Sequence, residues 1–229
     1  MISVDRVYQT VQKILNKEQR GYIPPVEFNL FVNQAMIEIF ENYFYDLDAY
    51  MQLSGNDSGY ADIVKNINEK ISLFHNEAVI MEDANDLFAY PSNFYRLSTV
   101  FLNNVVADEV SHKESAYVNL SPLTAPTRTQ PIYTRHEGGF RMSPSTMLDT
   151  DNVTLHYVRR PAEANWGYIM TGSTPTYNMS SSIDIELHPS ELHNIIIKVT
   201  ALAGVAVRAI DVTQIMQAEE AAYNQEIKQ

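Results

Sequence analysis

The amino-acid sequence predicts an α+β fold in which N- and C-terminal helices form one bundle and an antiparallel β lobe is inserted between them. Three observations predict it. Apolar residues recur at helical spacing over residues 1–76 and again over 183–229. Between them, over residues 77–182, the pattern changes to short alternating runs broken by Asn, Gly and Pro. Two periods that are segregated along the chain, rather than alternating, indicate α+β organisation.

The first helix rests on Val4, Val7, Tyr8, Val11, Ile14 and Leu15, with Ser3 as its N-cap and Lys17, Arg20 and Gly21 as stop signals. Pro24-Pro25 then opens a long helix over Val26–Leu53, because the N–H that proline lacks has no partner in a first turn. At 1.5 Å per residue it is roughly 40 Å long. A turn over Gly55–Gly59 leads to a third helix with Tyr60, Ile63, Val64, Ile67, Ile71 and Phe74 on one face.

In the lobe, Glu77–Met81 and Asp86–Tyr90 read as short strands. Leu97–Leu102 and Val105–Val110 pair about an Asn103-Asn104 turn. Residues 111–130 read as an extended loop. Pro131–His136 and Phe140–Ser143 flank the hairpin signal Glu137-Gly138-Gly139, and Val153–Val158 alternates as another strand. Residues 161–182 read as a surface loop around the single Trp166. Helix returns behind Pro189 with Leu192, Ile195, Ile196, Val199, Leu202, Ala203 and Ala206. Asp211 with Gln214 resembles a capping box, so a break near Ile210 and a final helix to about Lys228 are expected.

Composition narrows the function. The 229 residues hold 28 acids and 16 bases, a formal charge of −12. The acids are spread, and no third of the chain is basic, which argues against an electrostatic grip on DNA or on an anionic membrane. Without cysteine there are no disulfides, thiolate metal sites or thiol nucleophiles. Val199–Val207 is too short to span a bilayer and Val4–Leu15 is no signal peptide, so a soluble, non-secreted chain is expected.

No set of residues announces catalysis, and no cofactor or metal is called for. Asp149/Asp151, Asp83/Asp86, Asp108/Glu109 and Glu219/Glu220 fall in loops, turns or polar faces, where acids stay solvated. His188 and His193 are five apart, about 140° around a helix, unlike zinc-binding histidines four apart. Glycine-rich phosphate loops and nucleophile elbows are absent. What remains is surplus apolar surface. The second helix is apolar on more sides than one neighbour covers, and Phe28, Phe31, Phe40, Tyr43 and Phe44, with Arg159 and Arg160, are the expected contacts between copies of the chain.

Four stretches, in order, carry a resemblance: Gly21-Tyr22-Ile23-Pro24-Pro25-Val26-Glu27-Phe28-Asn29 with Asn33-Gln34-Ala35; Phe88–Arg96; Leu155–Pro161; and Ile185–His193. Together they resemble head-to-tail connector proteins (adaptor or neck ring proteins) of tailed bacteriophages, most like those of crAss-like phages. The second is similar to that family's Leu-Pro-x-Asp-Phe-Tyr-Arg, with Asn93 in place of the acid. The third resembles its Tyr-x-Arg-x-Pro strand end. The resemblance implies a non-enzymatic virion protein forming a homo-oligomeric ring of about twelve copies beneath the portal. Such a ring extends the DNA channel, lets the genome pass without specific binding, and anchors another neck or tail protein away from any membrane. It also implies portal docking by the C-terminal helix, at Asp211, Ile215, Ala218, Ala222, Tyr223 and Ile227. Two other readings stand beside it: a soluble glycan hydrolase using loop carboxylates such as Asp149 and Asp151, and a cytoplasmic protein-binding module using the aromatic helix.

Overall fold

The structure is a computed structural model and describes residues 1–17, 21–52, 58–83, 86–144, 151–206 and 221. The fold is α+β. The chain divides into a helical unit, residues 1–73 with 161–229, and a β lobe, residues 74–160. The second boundary therefore falls at Pro161 and not near residue 183. The predicted final helix, apart from residue 221, and all six expected portal-docking positions lie outside the described residues.

Helix α1 (Val4–Lys17) buries Val4, Val7, Val11 and Leu15, and Ser3 Oγ accepts from the Arg6 N–H at 3.4 Å as the cap. Helix α2 (Pro25–Gln52) begins at the second proline, and Phe28 N donates to Pro24 O at 3.0 Å. Helix α3 (Ser58–Ser72) buries Ile67 and Ile71.

The lobe is built from β1 (His75–Ile80), β2 (Phe88–Ala89), β3 (Phe94–Leu102), β4 (Val105–Glu109), β5 (Ile132–His136), β6 (Gly139–Ser143) and β7 (Val153–Arg159). Their order is β1-β7-β3-β4-β5-β6-β2. Asn103 and Asn104 both take positive φ, 49° and 68°, as a two-residue hairpin turn requires. The lobe is not wholly antiparallel: β4 and β5 run parallel. The connection between them holds a helix, α4 (His112–Leu120), where the sequence read as loop. Its signal was the capping box Ser111-x-x-Glu114, in which Ser111 Oγ accepts from Glu114 N and Glu114 accepts from Ser111 N. Just beyond β1, Glu82 bridges to Phe88 of β2, so the two ends of the strand order are joined. The curled sheet encloses Phe88, Val100, Leu102, Phe140, Leu155 and Tyr157 as its core.

After the lobe the chain does not run as a surface loop. It forms a hairpin of β8 (Tyr168–Thr171) and β9 (Thr174–Tyr177), turned at Gly172 with φ 66°, and Trp166 is buried. Ile183 and Ile185 then bridge to Asn165 and Ile2. A 3₁₀ turn over Pro189–Glu191, capped by His188, leads into α5 (Leu192–Ala206), which packs on α1 and α2, while α3 packs on α2.

Candidate functional site

The residues of the four sequence stretches lie at junctions. Asn33 Nδ2 donates to Ala164 O at 3.0 Å and Asn33 Oδ1 accepts from Ala164 N at 2.8 Å. One turn earlier, Asn29 Oδ1 accepts from Trp166 N at 2.8 Å and Asn29 Nδ2 donates to Asn165 Oδ1 at 2.8 Å. A side-chain amide carries one donor end and one acceptor end, so two asparagines on one helix face can hold an extended segment as a strand would. Trp166 completes the clamp, stacking near Tyr8 with centroids 4.2 Å apart and donating Nε1–H to Asp5 Oδ1 at 3.0 Å.

In the lobe, the second and third stretches are one structure. Tyr157 Oη donates to Asn93 Oδ1 at 3.0 Å, Asn76 Nδ2 donates to Tyr157 Oη at 3.0 Å, and Arg160 N donates to Asn93 O at 2.8 Å. Asn93 and Asn76 thus hold the Tyr157 hydroxyl between them. In the fourth stretch, Glu186 accepts from Ala162 N at 2.9 Å and Glu191, 2% exposed, pairs with Lys70 Nζ at 2.6 Å. Asn194 Nδ2 donates to the other Glu191 oxygen at 3.0 Å.

Beside that ion pair lies a cleft of about 440 Å³ lined by Ile63, Asn66, Ile67, Glu69, Lys70, His188 and Ser190. Ile63 and Ile67 supply its aliphatic lining, and two of its polar groups, Lys70 and His188, are held by Glu191 and Ser190. His188 Nδ1 meets Ser190 Oγ at 2.8 Å but also accepts from Ser190 N at 3.3 Å. The Nδ1 of His188 therefore caps a turn.

Two of the expected carboxylates, Asp151 and Glu109, are held in structural contacts. Asp151 accepts from Asn103 Nδ2 at 2.7 Å and pairs with Arg128 at 3.3 Å; Asp149, Glu219 and Glu220 lie outside the described residues. Glu109 holds Arg135 at 2.8 Å and accepts from Tyr133 Oη at 3.0 Å. Burial, then the hydrogen bond to Glu109, pushes the Tyr133 phenol up to about 12. Among the described residues no three His, Asp or Glu side chains are placed to hold a metal ion. No described helix is long and apolar enough to cross a membrane.

The expected subunit contacts need correction. Phe28, Phe40, Tyr43 and Phe44 are buried inside the chain's own core, and Phe31 is half-buried. Arg159 sits 5.9 Å from the Phe74 ring, while Arg160 is exposed. The surplus apolar surface of α2 is instead at Val26, Leu30, Ile37 and Tyr45, all on its outer face. Periodicity misses this because both faces of α2 are apolar, and the segments packed on it, among them α3, α5 and Tyr8 of α1, decide which one is covered. A second apolar surface lies on α4, which buries no residue and exposes Tyr117 and Leu120, with Leu123 just beyond its end.

No protein-family model matches this chain, and no curated protein sequence matches it.

Proposed function

We propose that this protein is a virion structural component, a head-to-tail connector that forms a homo-oligomeric ring in a phage neck. One observation carries the reading: the residues that create the resemblance are framework residues, whereas the unused side chains are apolar and outward. Asn29, Asn33, Asn93, Tyr157, Glu186 and Glu191 each join separate stretches of chain. None is arranged for bond-breaking chemistry. Val26, Leu30, Tyr117 and Leu120 are left for other protein surfaces. In this reading the partners are further copies, the portal and a neighbouring neck or tail protein, with the genome passing through the ring.

The charge of −12 per chain supports free passage of DNA if acids face the lumen, since phosphates are then repelled and not held. Cryo-electron microscopy of the virion tests the proposal. The expected result is a ring of this chain between portal and tail; absence of the chain from neck and tail overturns it.

A further inference from the structure

The crossover from β4 to β5 contains an anomaly. A helix that links two parallel strands ordinarily buries its apolar face on the sheet it crosses. Helix α4 does not. It buries no residue, and Tyr117, Leu120 and Leu123 are 66%, 81% and 95% exposed. Lys113, Tyr117 and Leu120 are spaced i, i+4, i+7 and so share one face, cationic at its start and apolar at its end. Lys113 also sits in the first helical turn, where a cation opposes the helix dipole, and it makes no ion pair among the described residues.

The outer face of α2 has the opposite arrangement. Val26, Leu30, Gln34, Ile37, Glu41 and Tyr45 fall within about 100° of one another around the helix and are all exposed. This face is apolar over its first half and reaches an acid, Glu41, in its second. Glu41 likewise has no ion-pair partner among the described residues. Laid antiparallel, the two faces complement each other. Lys113 to Tyr117 and Glu41 to Ile37 are both four-residue steps, about 6 Å of helix.

We propose that α4 of one copy docks antiparallel on the outer face of α2 of a second copy. Lys113 then lies opposite Glu41, Tyr117 opposite Ile37, and Leu120 opposite Gln34, one turn from Leu30. The contact joins two different surfaces, so every copy offers both and copies add head to tail, closing as a ring if the rotation allows. The inference takes from the neck reading only that copies of the chain meet; it adds the surface on which they do.

The absence of native cysteine makes a clean test available. Full-length Tyr117→Cys and Ile37→Cys chains are prepared separately, mixed in equal amounts and oxidised mildly. Both sites are exposed, so folding is not at stake. The expected product is a mixed disulfide dimer formed in the mixture and not by either chain alone; the doubly substituted chain gives a ladder of higher multiples. A mixture that cross-links no better than its components overturns the contact.

Sedimentation of wild-type and variant chains gives a second reading. Lys113→Glu is expected to weaken self-association roughly three- to fivefold, the scale of an exposed ion pair, and Glu41→Lys in the same chain to restore it. No change with Lys113→Glu, or no rescue, counts against the pairing. A ring in the virion without the cross-link overturns this contact and leaves the neck reading standing. The cross-link without a ring in the neck does the reverse.

Discussion

Asn33 pairs with Ala164 through both ends of its amide, donating at 3.0 Å and accepting at 2.8 Å across 131 residues of sequence. With Asn29 it fastens the segment that leaves the lobe onto α2. Ala164 is buried, so its backbone groups have no ready access to water when Asn33 is lost.

Asn33→Ala is therefore expected to lower unfolding free energy by about 2–6 kcal/mol, from about 1–3 kcal/mol for each of the two buried groups left unpaired. Asn33→Asp keeps the acceptor but sets a carboxylate against the Ala164 carbonyl. Its cost should be larger near about pH 7 than near about pH 4, where the protonated acid regains a donor. Urea denaturation of the full chain measures both. Equal stability of wild type and Asn33→Ala would show that the clamp contributes nothing.

The Lys70–Glu191 pair should respond asymmetrically. Lys70→Met leaves Glu191, 2% exposed, without its cation and is expected to cost about 3 kcal/mol. Lys70→Met combined with Glu191→Leu removes both charges and should recover most of that loss. Thermal unfolding of the single and double variants decides it; a double variant as weak as the single would mean the loss is one of packing.

Gly139 faces Phe88 where the strand order closes. A Cβ at Gly139 would collide with the Phe88 carbonyl oxygen and lie 3.2 Å from the Ala89 Cα, both backbone positions. Gly139→Ala is expected to destabilise by about 2 kcal/mol or more, because β2 must move away from β6. Gly172→Ala is the control: it meets nothing within 4 Å and bears only the strain of φ 66°, about 1 kcal/mol. Amide exchange should rise at Phe88–Ala89 in the first variant and not in the second.

His136 carries a pH dependence. Burial first, then the neighbouring His112 and Arg141, lower its folded pKa below the ordinary value of 6.5. The His112 and His136 rings meet edge to face at 4.4 Å, where α4 joins β5. With the folded pKa depressed, the unfolded chain binds the proton first as pH falls. The His136 contribution is thus complete above about 6.5 and is lost as pH drops through the folded pKa. NMR titration should place His136 below an ordinary histidine, and His112→Ala should raise it. A titration at or above the ordinary value would contradict the arrangement.

Much of the architecture was legible because local signals sufficed. Pro24-Pro25 set the start of α2, and Asn103-Asn104 and Glu137-Gly138-Gly139 set two hairpins. Two elements were not. The capping box of α4 sat in a Pro- and Thr-rich stretch with no apolar period, since this helix buries nothing. The β8–β9 hairpin is four residues a strand, too short for alternation to stand out from its Ser, Thr and Gly surroundings.

By itself the sequence determined the α+β class, the helical ends and inserted strands, and the acidic charge. Those are local or compositional properties, written in period, turn residues and charge. Tertiary structure alone decided which face of α2 is core, that Asn93 and Tyr157 belong to one junction, that Glu82 returns to Phe88, and that α4 stays uncovered. Each of these depends on which distant segment arrives at a given side chain. A helix apolar on two faces offers no local reason to bury Phe28 and expose Leu30; the arrival of distant residues such as Tyr8, whose ring meets Phe28 at 4.7 Å, supplies it.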